Sequence, residues 1–176
     1  MNEELTKKAD ILSDWIIEYT NTDPVTLVKK ITESGFDLTY NINIKEVSFD
    51  LIKKEFMFLY INLVDRYVYL FLNNNDRNDF QNYVITRVLD AFGIEMDSDF
   101  IDIYNNRQDE FSKYKKLMGD PDKGESPQDG LFGEFGKRIS NIISGSSNNV
   151  FIIASVETLA TYSWSNLTSL GLFKSS

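Results

Sequence analysis

Leu5, Ala9, Leu12, Trp15, Ile16 and Tyr19 recur at steps of three and four with charge on the opposite side, which predicts an amphipathic helix over about residues 3–20. Asp23 before Pro24 has the form of an N-cap followed by proline at the first helical position, and Gly35 suits a left-handed C-terminal cap. A second, short helix is therefore expected over about 24–34, with Leu27, Val28 and Ile31 turned inward. From Phe36 to Ile44 apolar and polar residues alternate, but a lone strand would have no partner, so this stretch reads as extended loop.

The segment Phe56 to Leu72, FMFLYINLVDRYVYLFL, is apolar on almost every side of a helical wheel. A helix of that kind must be surrounded, so it is read as the centre of the core, within a helix from about 46 to 72 that ends at Asn73-Asn74-Asn75. Asp76 can cap the next helix, whose inward stripe is Phe80, Val84, Val88, Ala91 and Phe92, closed by Gly93. Asp97 or Ser98 can cap a fifth, with Ile101, Tyr104, Phe111, Tyr114 and Met118 at helical spacing and Gly119 as terminator. Residues 119–130, GDPDKGESPQDG, contain two of the three prolines, three glycines and no large apolar residue. They read as a mobile loop that serves as a connection, with a lid as the alternative. Phe132, Phe135, Ile139, Ile142 and Ile143 give a sixth helix ending at Gly145, and Asn148 or Asn149 starts a seventh that runs toward Leu170.

No repeat of 20 to 50 residues is visible in this pattern. The expected fold is all-α, one domain over residues 1–176, an irregular bundle of six to seven helices around the buried central one. A chain of 176 residues with 42% hydrophobic content, 13 Phe, 9 Tyr and 2 Trp has enough apolar material for such a core.

Composition narrows the chemistry. There is no Cys and no His, which excludes disulfides, thiolate and imidazole metal sites, and Ser-His-Asp or Cys-His catalysis. A formal charge of −9 disfavours nucleic acid, and the small clusters Lys113, Lys115, Lys116 and Lys137, Arg138 read as solvated helix faces. The start, MNEELTKK, lacks the form of a secretory signal, and a cytoplasmic location is the default expectation. In a bilayer Asp65 and Arg66 would make Phe56 to Leu72 marginal, and the many Ser, Thr and Asn residues of Val150 to Leu172 suit a core helix better than a membrane anchor.

Within the central helix, Asn62, Asp65, Arg66 and Tyr69 line one side of an apolar rod. Asp65 and Arg66 point about 100° apart on a helix and need partners on other helices. Arg77, Arg87 and Arg107 are available for Asp65, and Asp90, Asp102, Asp109 and Glu110 for Arg66. Arg107 and Tyr114, on the fifth helix with Tyr104 and Phe111, could complete the same site, since an Arg beside aromatic rings suits an anion or a planar ligand. The favoured reading is a buried structural network, and a ligand pocket floored by Asn62, Asp65, Arg66 and Tyr69 is the alternative. No metal site is assigned: Asp97, Asp99 and Asp102 suit the first turn of a helix, and the pairs Asp10 with Asp14 and Glu46 with Asp50 lack a second pair to complete a chelate. No cofactor is implied either. The run Gly130 to Arg138, GLFGEFGKR, fails as a phosphate-binding loop because Leu131 and Arg138 stand where Gly and Ser or Thr are required. Gly133 and Gly136 instead suit close approach of the sixth helix to a neighbour, or a place in its first turn. The function expected is a non-enzymatic cytoplasmic module that binds a protein partner. The alternatives are a small-ligand or anion binder, or a carboxylate and Mg²⁺ enzyme, using the Asn62, Asp65, Arg66, Tyr69 stripe, and a protein held to membranes by its C-terminal helix.

Overall fold

Helix α1 (Glu3–Glu33) runs unbroken for 31 residues, straight through Pro24. A computed structural model describes residues 1–36, 42 and 48–173 of the chain. Asn2 caps α1 by accepting a hydrogen bond from the Leu5 N–H at 2.9 Å. The two helices expected over 3–20 and 24–34 are thus one. Proline removes a backbone donor and costs about 3 kcal/mol in a helix interior, but here Pro24 is buried in a seam that includes Ala9, Leu12, Ile16, Leu27 and Ile31. Asp23 does not cap the backbone. Its carboxylate accepts from Tyr60 and Ser163 on two other helices.

Helix α2 (Phe49–Tyr69) is the central element. Ser48 caps it through the Leu51 N–H, and the nine residues from Phe56 to Val64 are all buried. Such burial requires neighbours on every side, and α2 touches all five other α-helices among the described residues. The expected loop from Phe36 to Ile44 falls almost wholly outside the described residues, as does the expected helix start near residue 46. At the other end the helix stops at Tyr69, short of the expected 72, yet Phe71 still packs inward by stacking on Phe173 at 5.4 Å.

Helix α3 (Asn74–Phe92) is capped by Asn73, which accepts from the N–H groups of Asn75 and Asp76 and donates to the Asp76 carboxylate at 2.7 Å. Asn73, and not Asp76, is therefore the cap, and Gly93 closes the helix with φ of 63°. Helix α4 (Ser98–Ser112) begins at Asp97, whose carboxylate accepts from Phe100 N–H. It ends at Ser112, six residues before Met118.

The early stop has a cause in the backbone. The N-terminal N–H groups of helix α5 (Leu131–Ser144) need acceptors, and its cap residue, Gly130, has no side chain to supply one. The carbonyls of Lys116 and Leu117 accept from Leu131 and Phe132 N–H at 3.1 and 2.9 Å. The stretch after Ser112 therefore leaves the helix to cap α5. Between the two helices lie short 3₁₀ turns at Pro121–Lys123 and Pro127–Asp129, the second closed by a reciprocal Ser126 and Asp129 capping box. Glu125 binds the Lys116 ammonium and the Asp120 N–H.

Helix α6 (Val150–Ser169) starts at Asn149 and packs along α5. A methyl group at Gly136 would sit 3.1 Å from the Ile153 carbonyl oxygen, and one at Gly133 would meet the Gln128 backbone at 2.2 Å. Both glycines mark close approaches. Among the described residues there is no strand, and no helix is long and apolar enough to cross a membrane.

Candidate functional site

The six residues singled out from the sequence separate into three groups. Asn62 and Arg66 join the first, one helical turn apart on α2, where the Arg66 Nε–H donates to Asn62 Oδ1 at 2.8 Å. Asn62 donates in turn to Gln108 of α4 at 2.7 Å. The Arg66 Nη2 donates to the carbonyls of Phe111 and Tyr114 at 2.7 and 2.8 Å. No acid pairs with it in these contacts; its partners are the negative ends of backbone dipoles leaving a helix C-terminus. Burial lowers the Arg66 pKa, against the opposing charge of Asp65. Tyr114 thus contributes its carbonyl, while its phenol is pushed up by burial and by the nearby acids Glu134 and Glu110.

Asp65, Arg77 and Tyr69 form the second group. Arg77 grips the Asp65 carboxylate with two donors, from Nε at 2.7 Å and from Nη2. Its guanidinium carbon lies 4.9 Å from the centroid of the Tyr69 ring, in the range of a cation–π contact. Asp65 raises the Arg77 pKa further by that hydrogen bond. Tyr69 is 61% exposed and Leu70 beside it 72%. An aromatic ring and a leucine therefore project at the α2–α3 corner, the ring held from one side by a guanidinium that is itself held.

Arg107 belongs to a third group that the sequence reading did not assemble. It donates to Glu55 of α2 at 2.7 Å and to Glu110 at 2.8 Å, and Arg138 of α5 binds Glu110 and lies 3.8 Å from the second oxygen of Glu55. Two acids and two guanidiniums close a ring at one side of an open groove of about 660 Å³, with Leu51 and Ile142 as its apolar walls. Burial raises the Glu110 carboxyl, but the hydrogen bonds and charges of Arg138 and Arg107 outweigh it, and the net shift is downward. Glu55 is only 4% exposed. Its signal in the sequence was a lone acid on the apolar side of the central helix, one position before Phe56.

Two further clusters were also missed. Asp23, Tyr60 and Ser163 make a buried three-helix junction in which burial raises the Asp23 carboxyl while both hydrogen bonds pull it down. Arg87 of α3 bridges Asp10 and Asp14 at 2.7 and 2.9 Å, with the Tyr83 hydroxyl on Asp10 as well. That acid pair is therefore bridged by one guanidinium, which offsets one of its two charges. Among the described residues no group of three or more His, Cys, Asp or Glu side chains is placed to hold a metal ion.

Chemically, then, the stripe on α2 splits into a helix-end clamp at Arg66 and a braced, solvent-facing ring at Tyr69. The class the fold defines is an all-α bundle built on a wrapped central helix. Comparison with protein families, with curated proteins and with solved structures finds no match to this chain.

Proposed function

We propose that this domain is a non-catalytic interaction module of the cytoplasm that docks on a protein partner through Tyr69 and Leu70. The observation that carries the reading is the braced pair at the α2–α3 corner: 61% and 72% exposure on two large apolar side chains in succession, with the Arg77 guanidinium carbon 4.9 Å from the ring centroid and Asp65 holding Arg77. Tyr and Arg are, with Trp, the residues enriched at interface hot spots, and a ring braced before contact loses little entropy on binding. The partner this fits presents an apolar recess for a ring and a leucine.

The test is a photocrosslinking amino acid placed at Leu70 in cells, with the same group at exposed Thr158 as reference. A discrete adduct at position 70 that disappears when Tyr69→Ala is added supports the reading. An adduct at 158 and none at 70 overturns it.

A second reading, a small-ligand binder, is favoured by one observation away from the α2 stripe: a cleft beside α1 with two lysines at its wall.

A further inference from the structure

Helix α1 carries five threonines, and four of them turn their hydroxyls back onto the carbonyl four residues earlier: Thr6, Thr22, Thr26 and Thr32, at 2.9 to 3.0 Å. That is the ordinary resting place of a helical threonine hydroxyl. Thr20 departs from it. It is 1% exposed and its hydroxyl has no hydrogen-bond partner. Four residues on, Pro24 has no N–H to give the Thr20 carbonyl. A polar group left unmet in the interior is costly, and each such case in a native fold calls for an explanation.

Thr20 lines a cleft of about 320 Å³ shared with Asp50, Lys53, Lys54 and Met57 of α2 and with Phe92 and Ile94 at the end of α3. Lys53 and Lys54 are half-buried, and neither pairs with a carboxylate among the described residues. Their ammonium groups instead lie near aromatic rings, 5.4 Å from the centroid of Phe92 and 5.6 Å from that of Phe100. In a chain with 27 acids and a charge of −9, two adjacent cations without a carboxylate partner among the described residues are set apart from most of their kind. Among the described residues that line the cleft, Asp50 offsets one of the two charges and leaves one positive charge over. Met57, Phe92 and Ile94 give it an apolar wall.

We propose that this cleft is a binding site for a small aromatic carboxylate that carries a hydrogen-bonding group at the end away from its acid. The carboxylate meets the Lys53 and Lys54 ammoniums, the ring lies against Met57, Phe92 and Ile94, and the inner polar atom pairs with the Thr20 hydroxyl. Ligand sites of this kind are mostly apolar with a few placed polar groups. The cleft shares no residue with the Tyr69–Leu70 corner, so its ligand stands or falls independently of the protein partner.

Titration calorimetry of the full chain with 6-hydroxy-2-naphthoate tests the site, beside 6-hydroxy-2-naphthamide, which lacks the charge, and 2-naphthoate, which lacks the hydroxyl. Expected are one saturable site per chain and weakening of about tenfold for the amide and for the Lys53→Gln, Lys54→Gln double variant. Thr20→Val, isosteric and without the hydroxyl, is expected to erase the preference for 6-hydroxy-2-naphthoate over 2-naphthoate. Ile94→Trp fills the cleft while leaving both lysines and Thr20 in place, and is expected to abolish binding with helical circular dichroism retained. Equal affinity for acid and amide, undiminished binding by folded Ile94→Trp or by the folded lysine variant, or no saturation at about 1 mM ligand would each overturn the proposal.

Discussion

Tyr60, in the middle of α2, donates its phenol hydrogen to Oδ2 of Asp23, and the Ser163 hydroxyl of α6 donates to the same oxygen at 2.8 Å. One carboxylate thus ties three helices in the dry centre of the bundle. Burial raises its pKa above the ordinary 3.8, so the native state holds the proton more tightly than the unfolded chain does. Stability from this group is complete below about pH 3.8 and is lost as pH rises through the raised value. Asp23→Asn, which keeps an acceptor and drops the charge, is expected to remove that downward slope. Tyr60→Phe is expected to cost about 1–3 kcal/mol near neutral pH, because a buried carboxylate loses a donor. Urea unfolding followed by circular dichroism at a series of pH values checks both, and parallel curves for wild type and Asp23→Asn would show that Asp23 titrates as it does unfolded.

The two arginines that serve α2 differ in what their loss leaves behind. Arg66→Met strands the carbonyls of Phe111 and Tyr114 and the amide oxygen of Asn62, and a loss of about 2–4 kcal/mol is expected. Arg77→Met breaks a pair whose side chains are about a quarter exposed, and should cost about 1 kcal/mol or less. Denaturation midpoints that rank the two in the opposite order would contradict the division into clamp and brace.

Glycines 133 and 145 fail for different reasons. A methyl group at Gly133 would strike the Gln128 backbone at 2.2 Å, whereas Gly145 has open space around it and a φ of 69°. Gly133→Ala must push two backbone segments apart, with an expected cost of about 3 kcal/mol or more. Gly145→Ala meets only the left-handed backbone penalty, about 1 kcal/mol. Thermal unfolding of the two variants distinguishes them, and equal losses would show that the 127–129 turn yields.

Glu110 gives a pH dependence of the opposite sign to that of Asp23. Arg138 and Arg107 hold its pKa below the ordinary 4.5 despite the opposing effect of burial. Its contribution is therefore present above about pH 4.5 and is lost as pH falls through the depressed value. Glu110→Gln is expected to be less stable than wild type at neutral pH, with the gap closing as pH falls below 4.5 and through the depressed value. A gap of constant size across that range would mean that Glu110 acts through packing alone.

Much of the architecture was legible in the chain alone. The all-round apolar character of Phe56 to Leu72 marked the central helix, Gly93 and Gly145 close the helices they were expected to close, and Asp97 and Asn149 cap where Asp97 or Ser98 and Asn148 or Asn149 were expected. Asp23-Pro24 misled because local preference treats it as a helix start, while the seam that carries α1 past it is tertiary. The stop at Ser112 was invisible for a related reason: Tyr114 and Met118 keep helical spacing, but the demand that takes them out of the helix comes from α5. For the site, the side chains were correctly suspected of needing partners, and Arg77 was among those named for Asp65. Backbone carbonyls as the partners of Arg66, and Glu55 as that of Arg107, depend on helix crossings that spacing along one helix does not encode.

The backbone cap on α5 has a consequence for how the molecule opens. Arg66 grips the chain at Phe111 and Tyr114, and two residues further on Lys116 and Leu117 supply the acceptors for Leu131 and Phe132. The first turn of α5 therefore takes two of its acceptors from the stretch after α4, a stretch that Arg66 of α2 in turn holds. Residues 111 to 132 are therefore expected to open as one unit in native-state hydrogen exchange. The amides of Leu131 and Phe132 should exchange together, at a rate set by an arginine more than sixty positions earlier in the chain.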